Sequence, residues 1–254
     1  ITELNSATEY DFYVQTDCGG GDVSAWTSAA TFVTPCDFYA IPFSENFDGV
    51  EWGEMPACWS SILFCADGFA WNGNQGGYFQ MENSFDLNST LMLISPPVLD
   101  IAPNRLKFNA QSNTVGAELL IGTMSNPADQ NTFELLTSVT FTAANIYEPF
   151  DVWLNGYTGI DNYFVFKHSN GSTYLTIQID DIEVEALPTC LPPSDIFVDE
   201  ITTTTAKFNW TESGTATDWE IEIGNLGFTP GTGSYLNQYF YSNPLGNDQS
   251  YDLA

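Results

Sequence analysis

Two acidic stretches decide how this chain is read: Cys36-Asp37-Phe38-Tyr39-Ala40-Ile41-Pro42-Phe43-Ser44-Glu45-Asn46-Phe47-Asp48-Gly49 and Ile179-Asp180-Asp181-Ile182-Glu183-Val184. Each sets carboxylates beside strand-like apolar residues, and together they bracket residues 36–188. If the first and last strands of one β-sandwich meet here, their carboxylates converge. Calcium takes roughly six to eight oxygens, from carboxylates and backbone carbonyls. The expected ligands are therefore Glu45, Asp48, Asp180 and Asp181, with backbone carbonyls completing the shell. Successive side chains of a strand point to opposite faces, so only one of Asp180 and Asp181 is expected to reach the ion. The ordinary fate of any one carboxylate is a solvated surface position; the bracket rests on the pairing of two stretches.

Outward from the bracket, period-2 alternation recurs at Tyr10/Phe12/Val14, Leu106/Phe108, Leu119/Ile121, Val139/Phe141, Phe164/Phe166, Leu175/Ile177/Ile179, Ala206/Phe208/Trp210 and Trp219/Ile221/Ile223, punctuated by Gly, Asn, Asp and Pro. This is the pattern of an all-β protein built of sandwiches. Hydrophobic residues make up 43% of the 254 and aromatic residues 15%, enough to fill cores, so the charge does not signal disorder. That charge is −29, from 33 acidic and 4 basic residues. Nothing here could neutralise a row of phosphates, which argues against nucleic acid as a partner, and an anionic membrane surface is disfavoured for the same reason. No apolar run is long enough to span a bilayer. The excess of carboxylates suits an extracellular setting with divalent cations, and five cysteines placed near segment edges suit an oxidising compartment.

Leu4-Asn5-Ser6-Ala7-Thr8-Glu9-Tyr10-Asp11-Phe12-Tyr13-Val14 resembles the second half of a fibronectin type III domain. There a Leu precedes a Tyr by six residues, and the Tyr hydroxyl closes a strand corner onto the backbone. At the other end, Cys190-Leu191-Pro192-Pro193-Ser194-Asp195, Thr205-Ala206-Lys207-Phe208-Asn209-Trp210 and Asp218-Trp219-Glu220-Ile221-Glu222-Ile223-Gly224 resemble strands A, B and C of the same family, with Trp210 as its core tryptophan. Residues 1–35 are thus expected to be the C-terminal part of such a domain and 189–254 the N-terminal part. Tyr251-Asp252-Leu253-Ala254 followed by Ile1-Thr2-Glu3-Leu4 reads as an unbroken strand. The sequence is accordingly expected to be one period of a tandem array, an internal piece of a longer protein.

Residues 36–188 resemble the jelly-roll modules called cleaved-adhesin, choice-of-anchor J or MAM-like domains. The resemblance rests on Pro42–Asp48, Pro56-Ala57-Cys58-Trp59, Leu93-Ile94-Ser95-Pro96-Pro97-Val98-Leu99, Ile121-Gly122-Thr123-Met124-Ser125-Asn126-Pro127 and the closing Ile179–Ile182. It implies a disulfide between Cys36 and Cys58 and a cell-surface location, and its pairing with fibronectin-like parts implies a bacterial surface of the kind served by type IX secretion. The fibronectin-like halves imply that Cys190 and Cys18 share one pole and pair across a repeat junction. Cys65 is left over and could compete for Cys58.

Catalysis is not expected. The one histidine, His168, stands at a strand end in Phe166-Lys167-His168-Ser169-Asn170, with no second His for zinc and no nucleophile elbow. The expected function is a structural or adhesive repeat of a long secreted surface adhesin or filament, stabilised by calcium and disulfides, with neighbouring repeats or copies of itself as partners. The alternative is a carbohydrate- or protein-binding module attached to a secreted hydrolase. In that alternative Trp52, Trp71, Tyr78, Trp153 and Tyr157, in loop-like Gly/Asn-rich contexts, would stack on surface glycans or contact proteins.

Overall fold

The computed structural model describes residues 3–102, 104–154, 157–235 and 248–253. By its internal contacts the chain divides into two units, Ile1–Leu187 and Pro188–Ala254.

The first unit opens with an antiparallel hairpin of β1 (Glu9–Phe12) and β2 (Ala30–Val33). The Tyr10 hydroxyl accepts from Asn5 N–H at 2.8 Å, the backbone closure that the Leu4/Tyr10 spacing predicts. Tyr10 and Phe12 both pack against the Phe32 ring, yet Phe12, Trp26, Phe32 and Val33 remain exposed. The hairpin is one layer with an uncovered apolar face.

The body of the unit is a two-layer sandwich. One sheet has the order β10-β9-β12-β7-β4, from β4 (Ser60–Phe64), β7 (Thr90–Ile94), β9 (Glu118–Met124), β10 (Phe133–Thr140) and β12 (Tyr163–His168). The other has the order β11-β8-β13-β6-β5, from β5 (Trp71–Asn74), β6 (Phe79–Glu82), β8 (Asn104–Ser112), β11 (Glu148–Trp153) and β13 (Thr176–Ala186). Its sixth strand, β3 (Phe43–Glu45), pairs with the second half of β13 while β6 pairs with the first. All these strand pairs are antiparallel, as the alternation predicts. The bracket therefore does join an early strand to the last one.

The alternation places the core. Leu106, Phe108 and Ala110 of β8, and Ile177, Ile179 and Val184 of β13, are buried with Phe79, Phe47, Trp59, Leu119, Ile121, Phe164 and Phe166 between the sheets. Each buried Leu, Ile, Val or Phe among them stabilises the fold by about 1.5–3 kcal/mol relative to an exposed one, before the entropy of ordering it is subtracted. Cys36 and Cys58 form the expected disulfide, with Cα atoms 5.9 Å apart. It ties the segment before β3 to the residue before Trp59, whose ring meets that of Phe47 edge-on. Cys18, Cys65 and Cys190 are free and exposed in the single chain.

The second unit holds a three-stranded sheet in the order β14 (Ser194–Asp199), β15 (Ala206–Thr211), β18 (Asp248–Leu253), and a small pair of β16 (Glu222–Ile223) and β17 (Ser234–Tyr235). Trp210 is buried, as expected, with Trp219 edge-on at 5.6 Å. The alternation at Trp219/Ile221/Ile223 predicts a longer strand than β16. Trp219 instead lies outside β16 and donates its indole N–H to the Glu212 carboxylate at 2.7 Å.

Candidate binding face

The solvent side of the six-stranded sheet is set by the same alternation that fills the core. With Ile177, Ile179, Phe79 and Ala110 turned inward, Gln178, Asp180, Gln80 and Gln111 must face out. Register does the rest. Gln178 lies opposite Gln111 on β8 and opposite Gln80 on β6, and Gln80 lies opposite Gly73 on β5. Tyr147, one residue before β11, continues the line beyond Gln111, since Glu148 pairs with Ala110. One row thus runs from Tyr147, at the entry to β11, across four strands: Gln111, Gln178, Gln80, Gly73. Gln111 Nε2 donates to Gln178 Oε1, Gln178 Nε2 donates to Gln80 Oε1 at 2.7 Å, and the Tyr147 hydroxyl donates to Gln178 Oε1 at 3.3 Å. The phenol of Tyr147 is pushed up to about 12, first by burial and then by the Asp180 carboxylate and Tyr78 nearby, so it stays a donor at physiological pH.

The bracket carboxylates border this row, with one correction. The strand rule sends Asp180 and Asp181 to opposite faces, but a β-bulge intervenes. The register of β13 on β8 slips between Asp180 and Glu183, and Asp181 takes a left-handed backbone conformation (φ 48°) that Asp tolerates better than most residues. Asp180 stays on the solvent side with Gln178, and Asp181 reaches the same side, where its Oδ2 accepts from Asn109 Nδ2 at 2.9 Å. Burial, followed by the carboxylates of Asp181 and Asp48, raises the Asp180 pKa from its ordinary value. Asp48 arrives on the loop after β3, accepts from Asn46 Nδ2 at 3.2 Å, and lies close enough to Gly77 that an added Cβ would sit 3.2 Å from its Oδ1. Glu45 pairs with Ile182, lines the same hollow as Asn46, Asn109 and Asp181, and its carboxylate accepts from Phe47 N–H at 2.7 Å.

The donor chemistry suits a hard cation: three carboxylates in mutual electrostatic reach, with Asn46 and Asn109 beside them. Among the described residues, however, no three acidic side chains converge tightly enough to form a ready-made metal cage.

The five expected aromatic contacts separate into three kinds. Trp71, two residues from Gly73 on the same face of β5, and Tyr78 flank the row. Trp52 is exposed on the loop that packs against the β5–β6 turn, its indole N–H donating to Gln75 Oε1 at 3.1 Å. Trp153 is covered by the Arg105 guanidinium at 5.5 Å, and Arg105 and Lys107 are themselves held by Asp151, Glu183 and Glu185. Tyr157 packs on the core and its hydroxyl accepts from Asp161 N–H at 2.9 Å, so its role is structural. Sequence reasoning missed Tyr147 and the three glutamines. Their only sequence signal is polar alternation with core residues, as in Phe79-Gln80-Met81 and Ile177-Gln178-Ile179.

His168 is a buried core residue. Its Nε2 faces the Leu175 carbonyl at 3.0 Å, its Nδ1 receives Asn170 N–H at 3.1 Å, and burial lowers its pKa.

No family model matches this chain, and no curated protein matches it. Solved structures do. The K2 cleaved adhesin domain of Lys-gingipain is 19% identical, with 56% of this chain and 98% of that chain covered and a TM-score of 0.45. The K1 cleaved adhesin domain of Lys-gingipain from Porphyromonas gingivalis W83 is 21% identical, covering 59% of this chain and 100% of that one at a TM-score of 0.44. A family 29 carbohydrate binding module is 11% identical, covering 53% and 82% at 0.40.

Proposed function

We propose that this chain is a non-catalytic adhesive module of a secreted, bacterial cell-surface protein, and that it adheres through the solvent face of its six-stranded sheet. One observation carries this reading. The sheet presents hydrogen-bonding amides and aromatic rings to solvent in a single register row, while the one imidazole is buried in structural contacts. Such a face binds; it offers no nucleophile with a base beside it. In this reading the Cys36–Cys58 disulfide and a calcium ion near Asp48, Asp180 and Asp181 stiffen the edge of the face, and export follows the type IX route that the pairing of the jelly roll with fibronectin-like parts implies.

The flanks favour a role as a repeat that joins copies of itself. The corner bond from Asn5 to Tyr10, the buried Trp210 and the order β14-β15-β18 support fibronectin type III halves. Exposed Phe12, Trp26 and Phe32 on one flank, and Ile196, Phe197 and Ile201 on the other, are apolar surface that a neighbouring repeat would cover. The test is retention under flow. Beads displaying the full chain are passed over surfaces coated with neutral polysaccharide, collagen or cultured cells, with calcium present. Retention above bare beads on at least one surface is expected; release from all of them would refute the adhesive reading.

A further inference from the structure

The adhesive reading leaves the ligand open, and the row across the six-stranded sheet narrows it. Resting on that reading, we propose that the row Tyr147–Gln111–Gln178–Gln80–Gly73, with Trp71 and Tyr78 beside it, is an open binding platform for a neutral polysaccharide chain lying across the strands.

Three observations lead there. The first is the chemistry of the row. A sugar hydroxyl both donates and accepts, and a carboxamide offers both as well. The glutamine ladder holds three amides in fixed order, and at its two ends Gln111 Oε1 and Gln80 Nε2 have no protein partner among the described residues. The second is shape. Strands lie about 4.8 Å apart, so the glutamines span roughly 10 Å, and the line continues onto Gly73 one strand further. A Cβ at Gly73 would meet nothing within 4 Å, so the row ends on an open shelf, with the Trp71 ring two residues away to pack against the C–H face of a sugar.

The third is charge. Asp48, Asp180, Asp181 and Glu82 border the row, while Arg105 and Lys107, the basic residues of this sheet, are occupied by Asp151, Glu183 and Glu185. A polyanion such as a uronate-rich or sulfated glycan is repelled. The ladder itself carries no charge, which fits a ligand that has none.

Affinity electrophoresis of the full chain tests this. Native gels are cast with glucomannan, xyloglucan or hydroxyethylcellulose, with polygalacturonate as the anionic comparison, and polylysine binding is measured separately. Retardation in at least one neutral polysaccharide is expected. Gln178→Ala, which removes the amide that holds Gln111 and Gln80 in order, and Trp71→Ala, which removes the stacking ring, should each weaken it about tenfold. Trp153→Ala should leave it unchanged, and circular dichroism should show all three variants folded. No retardation in any neutral polysaccharide, retardation equal in wild type and Gln178→Ala, or binding to polygalacturonate or polylysine alone would overturn the proposal. Beads that still hold to collagen or cells while every neutral polysaccharide fails would sink the glycan platform and leave the adhesive reading standing.

Discussion

Removing the Cys36–Cys58 bond should cost a calculable amount. The bridge closes a loop of sequence separation 22, for which loop-closure entropy gives about 3 kcal/mol. The loop carries Ile41, Phe43 and Phe47, all packed on the core, and three-residue β3, whose strand partner among the described residues is β13. With so little ladder of its own, β3 depends on this bridge and on those core contacts to stay at the sheet edge. For a body of this size each kcal/mol moves the midpoint by roughly 2–4 °C, so the sandwich transition should fall by roughly 6–12 °C. Differential scanning calorimetry of the full chain reads it directly, comparing wild type with Cys36→Ala/Cys58→Ala. Wild type treated with reductant should coincide with the variant, and Cys65→Ala, at an exposed free thiol, should leave the midpoint in place. A fall of less than about 2 °C in the double variant would refute the reasoning, because β3 would then be held by something other than the bridge.

The remaining predictions concern charge, packing and access. In Asp180→Asn the carboxylate that burial, Asp181 and Asp48 penalise is gone. A raised acid pKa lowers stability as pH rises through it, so at neutral pH without calcium this variant should melt above wild type; calcium, which binds the folded state, should raise the wild-type midpoint but not the variant's, and equal calcium shifts would contradict the ligand assignment. Buried His168 has a lowered pKa, so the unfolded chain takes up a proton that the folded one refuses once pH drops below about 6.5. Denaturant unfolding should show stability falling there, and His168→Gln should flatten that dependence. At Gly122 an added Cβ would lie 2.2 Å from the Glu134 carbonyl oxygen, so Gly122→Ala should destabilise by about 1–3 kcal/mol, or more, in urea titration. Arg105, Lys107, Lys167 and Lys207 all lie in strands, and the native chain should resist trypsin; rapid nicking at several of them would contradict that placement.

The sequence made the layers legible and hid the face. Alternation such as Ile177-Gln178-Ile179-Asp180 is a local signal, and it identified both the strands and which residues go inward. The bulge at Asp181 is not local: it is a slip in the pairing of β13 with β8, and it reversed the expectation that neighbouring Asp residues part company. The glutamine ladder was illegible for the same reason. Gln80, Gln111 and Gln178 become neighbours only through the register of three strands. Among the aromatics, composition could not tell Trp71, left at the row, from Trp153, covered by Arg105, since that contact pairs residues of two strands.

Bead retention by face-specific variants tests the central claim most directly. On whichever surface holds the wild-type beads, Trp71→Ala/Tyr78→Ala/Gln178→Ala alters the proposed face, while Leu63→Ser alters the exposed side of β4 in the other sheet. The account predicts that the triple variant releases at shear the wild type withstands and that Leu63→Ser holds. Retention of the triple variant at wild-type shear, or loss confined to Leu63→Ser, would contradict it.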